Sequence, residues 1–173
     1  MGHCVVVMGV SGAGKSTVAA ALARVLGLRC VDGDDLHAPA SIEQMRRGVP
    51  LTDDDRWPWL DRIGAELARP APGRHGTVVA CSALRRVYRE RLRGACGGLR
   101  FVFLQAGAEL IAARLKARPG HYMPAALLAS QLATLEVPGP DETDVLALDV
   151  VMPPHALADA AAAWLCGTRP IQP

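Results

Sequence analysis

No stretch of about eighteen or more consecutive apolar residues occurs in this 173-residue chain, so the sequence offers no membrane-spanning helix. It has no block of like charge either. The formal net charge is only +2, and the basic residues are scattered across the second half, which argues against DNA or RNA as a general partner. Cysteine occurs five times, an odd number, at Cys4, Cys30, Cys81, Cys96 and Cys166, with no CxxC or HxxxH pattern. A zinc site is therefore not expected; three of the five lie in or beside apolar strand candidates, where a free thiol serves as a small hydrophobe, and a reduced, cytoplasmic setting fits. Internal repeats are absent, and the only biased tract is a short alanine-rich segment near the C-terminus. The apolar run Cys4–Val10 has no cationic segment before it and a glycine-rich turn directly after it, so it reads as a buried strand and not a secretory signal. What remains is an ordinary globular composition, 50% apolar and 21% charged, at a length that suits one domain.

Apolar runs of strand length alternate with longer helical patterns. Strands are expected at Cys4–Met8, Arg29–Val31, Thr77–Cys81, Arg100–Leu104 and Val145–Val151. Their hydrophobicity is nearly continuous, as in strands covered on both faces. Helices are expected at Lys15–Leu26, Ser41–Arg47, Asp55–Ala68, Leu84–Arg93, Ala108–Ala117, Pro124–Leu135 and His155–Leu165. Ser41 and Gln44 have the spacing of a capping box, Pro124 suits a first helical position, and Gly27 suits a helix stop. The segments Arg69–Gly76 and Val137–Glu142 are loops by composition. This order predicts an α/β fold, a parallel sheet with helices on both faces.

Gly9-Val10-Ser11-Gly12-Ala13-Gly14-Lys15-Ser16 matches GxxxxGK[ST] in full, follows a strand and opens a helix. The glycines let the backbone wrap closely and aim N–H groups at phosphate oxygens, and the helix N-terminus adds partial positive charge. Lys15 would reach the β- and γ-phosphates of ATP, and the Ser16 hydroxyl would ligate Mg2+. The nucleotide-binding set extends through Thr17. Phosphate binding alone does not distinguish a kinase from a switch or motor. A GTPase would carry an NKxD-type guanine reader, and none is present; a motor would be longer.

An acceptor side is therefore sought. Asp32-Gly33-Asp34-Asp35-Leu36-His37 follows the second strand, at the carboxyl edge where such sheets bind ligands. Surface Asp/Gly turns are common, but three carboxylates in four positions repel one another and point to a cation or a hydroxylated ligand. Asp34 is assigned the proton of an acceptor hydroxyl, and Asp32 a magnesium-bound water or the substrate. Pro50–Leu60 reads mostly as a capped helix start with acidic residues on the helix dipole and Trp side chains in the core, except that Arg56 offers a fork for an anionic substrate. Ser82 stands where the third strand ends. Of Arg85 and Arg86, one is expected to be solvated and the other to hold a carboxylate or phosphate. Arg114 and Arg118 one helical turn apart, then Pro-Gly-His121, read as a hinged flap that excludes water and neutralises transferring charge. The alternative is a helix end with cations on its dipole, and His121 alone carries little weight.

Together the runs MGVSGAGKST, DGDDLH, PLTDDDRWPWL, VVACSALRRVYRERLR and HYMP…LL.SQ..TLE resemble the gluconokinase family from Val5 to about Glu142. The resemblance implies a nucleoside-monophosphate-kinase-like P-loop fold: one domain with a five-stranded parallel sheet and a small lid near residues 114–135. It implies transfer of the γ-phosphate of ATP to the 6-hydroxyl of D-gluconate, a need for magnesium, and a homodimer. On this likeness Lys15, Asp34 and Arg118 are the expected catalytic set. Asp32, Asp34, His37, Arg56, Ser82, Arg85 and His121 are the expected acceptor-side residues. Departures are Cys30 and Leu132 where aromatic residues are frequent, and Arg85 where lysine is frequent, which changes the donor geometry. In this fold the loop at Met152–Pro154 neighbours adenine. A shikimate-type or adenylylsulfate-type kinase, and a P-loop module that binds ATP without turnover, are the alternatives.

Overall fold

The computed structural model describes residues 2–116 and 125–167. Its strands are β1 (His3–Met8), β2 (Arg29–Asp32), β3 (Gly76–Ala80), β4 (Arg100–Gln105) and β5 (Val145–Asp149). Its helices are α1 (Lys15–Leu26), α2 (Pro39–Arg46), α3 (Asp53–Ala68), α4 (Arg86–Ala95), α5 (Ala108–Lys116), α6 (Ala125–Thr134) and α7 (Pro154–Leu165). The strands form one parallel sheet in the order β2-β3-β1-β4-β5. The expected fold class is present.

β1 shows why its sequence does not alternate. Successive side chains of a strand point to opposite faces. Val5 and Val7 pack with α1 and α7 on one face. Val6 and Met8 pack with α3 and α4 on the other. All four are essentially inaccessible to water, and burying such a side chain stabilises by roughly 1.5–3 kcal/mol. Because β3 lies on one side of β1 and β4 on the other, the chain reverses direction across the sheet at β1. The crevice beyond the carboxyl end of β1 is the position where such sheets take ligands.

Several boundaries differ from the sequence reading for local reasons. α2 starts at Pro39 with Ala38 as its N-cap, so Ser41 lies inside the helix, buried, and caps nothing. The capping box belongs to α3, where the Thr52 hydroxyl accepts from Asp55 N–H and the Asp55 carboxylate accepts from Thr52 N–H. α4 begins at Arg86 and not Leu84, because Ala83 takes the left-handed region (φ 41°) and Arg85 is extended. β5 stops at Asp149, whose carboxylate accepts from Val151 N–H and turns the chain. Gly27 does end α1, at φ 64°. Pro124 lies outside the described residues.

The expectation of five unpaired thiols is corrected at one pair. Cys4 on β1 and Cys96 at the end of α4 form a disulfide across 92 residues of sequence. Tertiary packing of α4 on the face carrying Cys4 brings them together, so spacing gave no hint of it. Cys30, Cys81 and Cys166 are free. No described helix is long and apolar enough to cross a membrane.

Candidate active site

The phosphate loop runs from the end of β1 into α1, and its glycines adopt backbone conformations that other residues rarely reach: φ is 143° at Gly9, 83° at Gly12 and 96° at Gly14. A Cβ on Gly9 would also stand 2.9 Å from the Leu104 carbonyl oxygen of β4. Lys15 Nζ donates to the Val10 carbonyl at 3.1 Å, curling back beneath the loop. Burial lowers the Lys15 pKa, and the nearby Asp34, Cys81 and Asp32 act against that shift. Beneath it, burial pushes the Cys81 thiol up to about 12, so it stays protonated.

Asp32 at the end of β2 serves two neighbours. Its Oδ2 accepts from the Ser16 hydroxyl at 2.7 Å, and its Oδ1 accepts from Asp34 N–H at 3.1 Å. The second bond caps the single 3-10 turn Gly33–Leu36 that presents Asp34 and Asp35. That turn is pressed against β3 so closely that a Cβ on Gly33 would stand 2.5 Å from the Ala80 carbonyl oxygen. α3 holds it from behind: Trp59 Nε1 donates to Gly33 O and Arg62 Nε donates to Leu36 O, both at 2.7 Å. The Trp59 ring also stacks on His37, centroids 4.3 Å apart and ring planes nearly parallel. Burial, then the Arg56 and Arg62 charges, depress the His37 pKa to about 4, leaving a neutral imidazole near pH 7.

Ser82 is fixed through its backbone. Its carbonyl accepts from Gly9 N–H, tying β3 to the phosphate loop. The next two carbonyls, of Ala83 and Leu84, accept from the buried Arg89, which also binds the Glu136 carbonyl and pairs with the buried Glu142 at 2.6 Å. A non-glycine residue held at positive φ beside a phosphate loop is strain of the kind found at functional sites.

These elements enclose a cavity of about 270 Å³ lined by Ser11, Lys15, Asp34, His37, Arg56 and Ser82, among others. Arg56 donates Nε and Nη2 to the Leu51 carbonyl and lies over the Tyr88 ring, and it forms no ion pair with any described residue. Arg85 differs. Its guanidinium is paired with Asp53 and Glu136, and it lines a neighbouring cleft instead of the cavity. Asp53 also accepts from Tyr88, and that bond, then Arg85, holds its carboxyl below the usual range. Arg86 is paired with Glu90 and Asp141.

Residues 4–138 match the family model of an AAA domain. The chain is 54% identical over 137 residues to a gluconokinase of Gluconobacter oxydans (strain 621H), covering 79% of this chain and 77% of that protein. The chain belongs to the gluconokinase family. The thermoresistant gluconokinase of Escherichia coli (strain K12) is 43% identical over 151 residues, covering 87% of this chain and 86% of that one. The crystal structure of a gluconokinase from Sinorhizobium meliloti 1021 superposes with a TM-score of 0.85 at 47% identity, covering 95% of this chain and 94% of that chain.

Within this gluconokinase-family fold, Lys15, Asp34, His37, Arg56 and Ser82 come together at one cavity, with Asp32 and Ser16 beside it. Arg118 and His121 lie outside the described residues. Arg114 is described and donates Nη2 to the Val150 carbonyl at 2.8 Å, joining α5 to the loop after β5. Residue-by-residue reading missed two features. Trp59 is the platform beneath His37, although its own position in the sequence looked like simple core. Gln131 of α6 accepts the Ser11 N–H at 2.7 Å through Oε1, across 120 residues of sequence. Its only sequence signal was its place in the family-like run after the flap.

Proposed function

We propose that this kinase transfers the γ-phosphoryl group of ATP to the 6-hydroxyl of D-gluconate, giving 6-phosphogluconate and ADP. The observation that carries this reading is the placement of Asp34, Arg56 and Lys15 on one cavity at the open end of a phosphate loop. Asp34 accepts the proton of the 6-hydroxyl as its oxygen bonds to the γ-phosphorus. The bond from that phosphorus to the bridging oxygen breaks, and ADP leaves with the electron pair. Lys15 and the loop N–H groups hold the phosphates in line. The lid residues, Arg118 and His121 with them, would exclude water and bind transferring charge.

Magnesium fits the residues present. The Ser16 hydroxyl and the Asp32 carboxylate converge as two hard oxygens, and no described cluster of three or more metal-binding side chains exists. That sparse set suits an ion that takes its other ligands from phosphates and water. When bound, it neutralises charge on the phosphate oxygens. We read the enzyme as a cytoplasmic homodimer, in line with the family resemblance.

The decisive assay offers the purified protein ATP and magnesium with gluconate, shikimate or adenylylsulfate in turn and follows ADP release. Release driven by gluconate is expected. Release driven by shikimate alone, or by no acceptor, would overturn the acceptor assignment.

Arg56 is the arginine we assign to the gluconate carboxylate, since Arg85 is already paired with two protein carboxylates. A charge-assisted hydrogen bond contributes about 1.5–3 kcal/mol. Arg56→Ala should therefore raise KM for gluconate by roughly 10- to 100-fold, with KM for ATP nearly unchanged. Steady-state kinetics in both substrates check this, and an unchanged gluconate KM would return the role to another residue.

A further inference from the structure

Gln131 sits on α6, and its side chain reaches the phosphate loop 120 residues earlier in the sequence. The backbone N–H of Ser11 can only donate, so the carboxamide orientation is fixed: Oε1 faces Ser11 and the NH2 group is turned elsewhere. Gln131 lines the same cavity as Lys15, Asp34 and Ser82. Among the described residues its side-chain hydrogen bond is the one from Ser11, and its NH2 group carries two N–H donors. Ser11 lines the cavity together with Lys15, the residue that reaches the β- and γ-phosphates in a loop of this pattern. Transfer of a phosphoryl group spreads negative charge over its equatorial oxygens, and fixed donors at that point lower the barrier.

We propose that Gln131 is a further catalytic residue, one that anchors on Ser11 N–H through its carbonyl oxygen and donates an amide N–H to the phosphoryl group in transit. The proposal rests on the kinase reading above. It adds a residue from the far side of the cavity and gives α6 a chemical task. The anchoring bond holds the amide plane, so the donor is in place before the substrate arrives. Because a Gln131 donor acts on the phosphoryl group whichever acceptor takes it, the same donor would serve transfer to water.

Gln131→Glu separates donation from anchoring. The carboxylate still accepts from Ser11 N–H but has no hydrogen to give and adds negative charge. Removal of one such donor costs about 100-fold or more in kcat, so that loss is expected, with binding of a non-hydrolysable ATP analogue held within about fivefold. A carboxyl group beside phosphate is pushed up in pKa, and protonation returns one donor. The activity of Gln131→Glu relative to the parent should therefore rise as pH falls from about 8 to about 6. Gln131→Leu, which keeps neither function, should be equally impaired at every pH. If Gln131→Glu keeps turnover within about threefold, or its ratio to the parent is flat across pH, the donor role is overturned and Gln131 is an anchor only. Should gluconate fail as an acceptor for the parent, the same comparison on acceptor-free ATP hydrolysis still decides the Gln131 assignment.

Discussion

Asp34→Asn is expected to lower kcat by about 10²- to 10⁴-fold, the range for removal of a general base, while nucleotide affinity stays within a few-fold. The substitution keeps shape, and the backbone N–H of residue 34 still has the Asp32 carboxylate to donate to, so the turn that presents the side chain persists. What disappears is the anionic oxygen that takes the hydroxyl proton. A second effect follows from charge. Asp34 is the largest influence holding the Lys15 pKa up against burial. Without it the Lys15 pKa falls further, and residual activity should decline at a lower pH on the alkaline side than in the parent. Measured kcat, titrated binding of an ATP analogue and a pH–rate profile together test this. Turnover within a few-fold of the parent would remove Asp34 from the role of base.

Glu142→Gln should destabilise the protein by about 3–5 kcal/mol, the cost of leaving a buried charge without its partner. Arg89 is 1% exposed and Glu142 6% exposed. Two guanidinium–carboxylate bonds of 2.8 and 2.6 Å join them, and Arg93 adds a third bond at 2.7 Å. Arg89, then Arg93, hold the Glu142 carboxyl down at about 2, against an ordinary value of 4.5. A depressed carboxyl pKa contributes stability that is fully present above the unfolded value and is lost as pH falls toward the folded value. The parent should thus lose stability between about pH 4.5 and pH 2, and Glu142→Gln should lose less over that window. Denaturant midpoints at neutral and acid pH check both statements. A change below about 1 kcal/mol at pH 7 would place the pair in the weak class of exposed ion pairs. Replacing both partners by apolar residues of similar volume should be milder than removing one.

The parts of this molecule that were legible in its sequence are those written in neighbouring residues. The phosphate loop, the buried strands β1, β3 and β4 and the Gly27 stop each depend on a few consecutive side chains, and each stands within a residue of where the pattern put it. β2 and β5, expected to be covered on both faces, are partly exposed edge strands. The Asp32–His37 segment was legible as a polar turn at a sheet edge, but its support was not. Trp59 and Arg62 reach it from α3, and no spacing rule links position 59 to position 33. The same limit explains the two arginines. Arg56 and Arg85 are equally plausible anion readers in one dimension, and only the packing of Asp53 and Glu136 around Arg85 separates them. It explains Cys4 and Cys96 as well, which meet because α4 covers one face of β1. Where local preference did mislead, tertiary bonds stand beside the departure. Ala83 is at positive φ between the Ser82 carbonyl, bound by Gly9 N–H, and the Leu84 carbonyl, bound by Glu136 N–H and Arg89, and α4 starts only at Arg86.

The Arg89–Glu142 pair also has a meaning for a chain that emerges from one end. The carbonyls of Ala83 and Leu84 are held by a guanidinium whose carboxylate partner is 53 residues further along. While a nascent chain ends before position 142, Arg89 lacks the buried counter-ion that it has in the folded protein. The phosphate loop is complete in sequence within the first 16 residues, yet its Gly9 is tied to Ser82 and its Ser11 to Gln131. The nucleotide side and the acceptor side of the cavity therefore reach their final shape together, once nearly the whole sequence has been delivered.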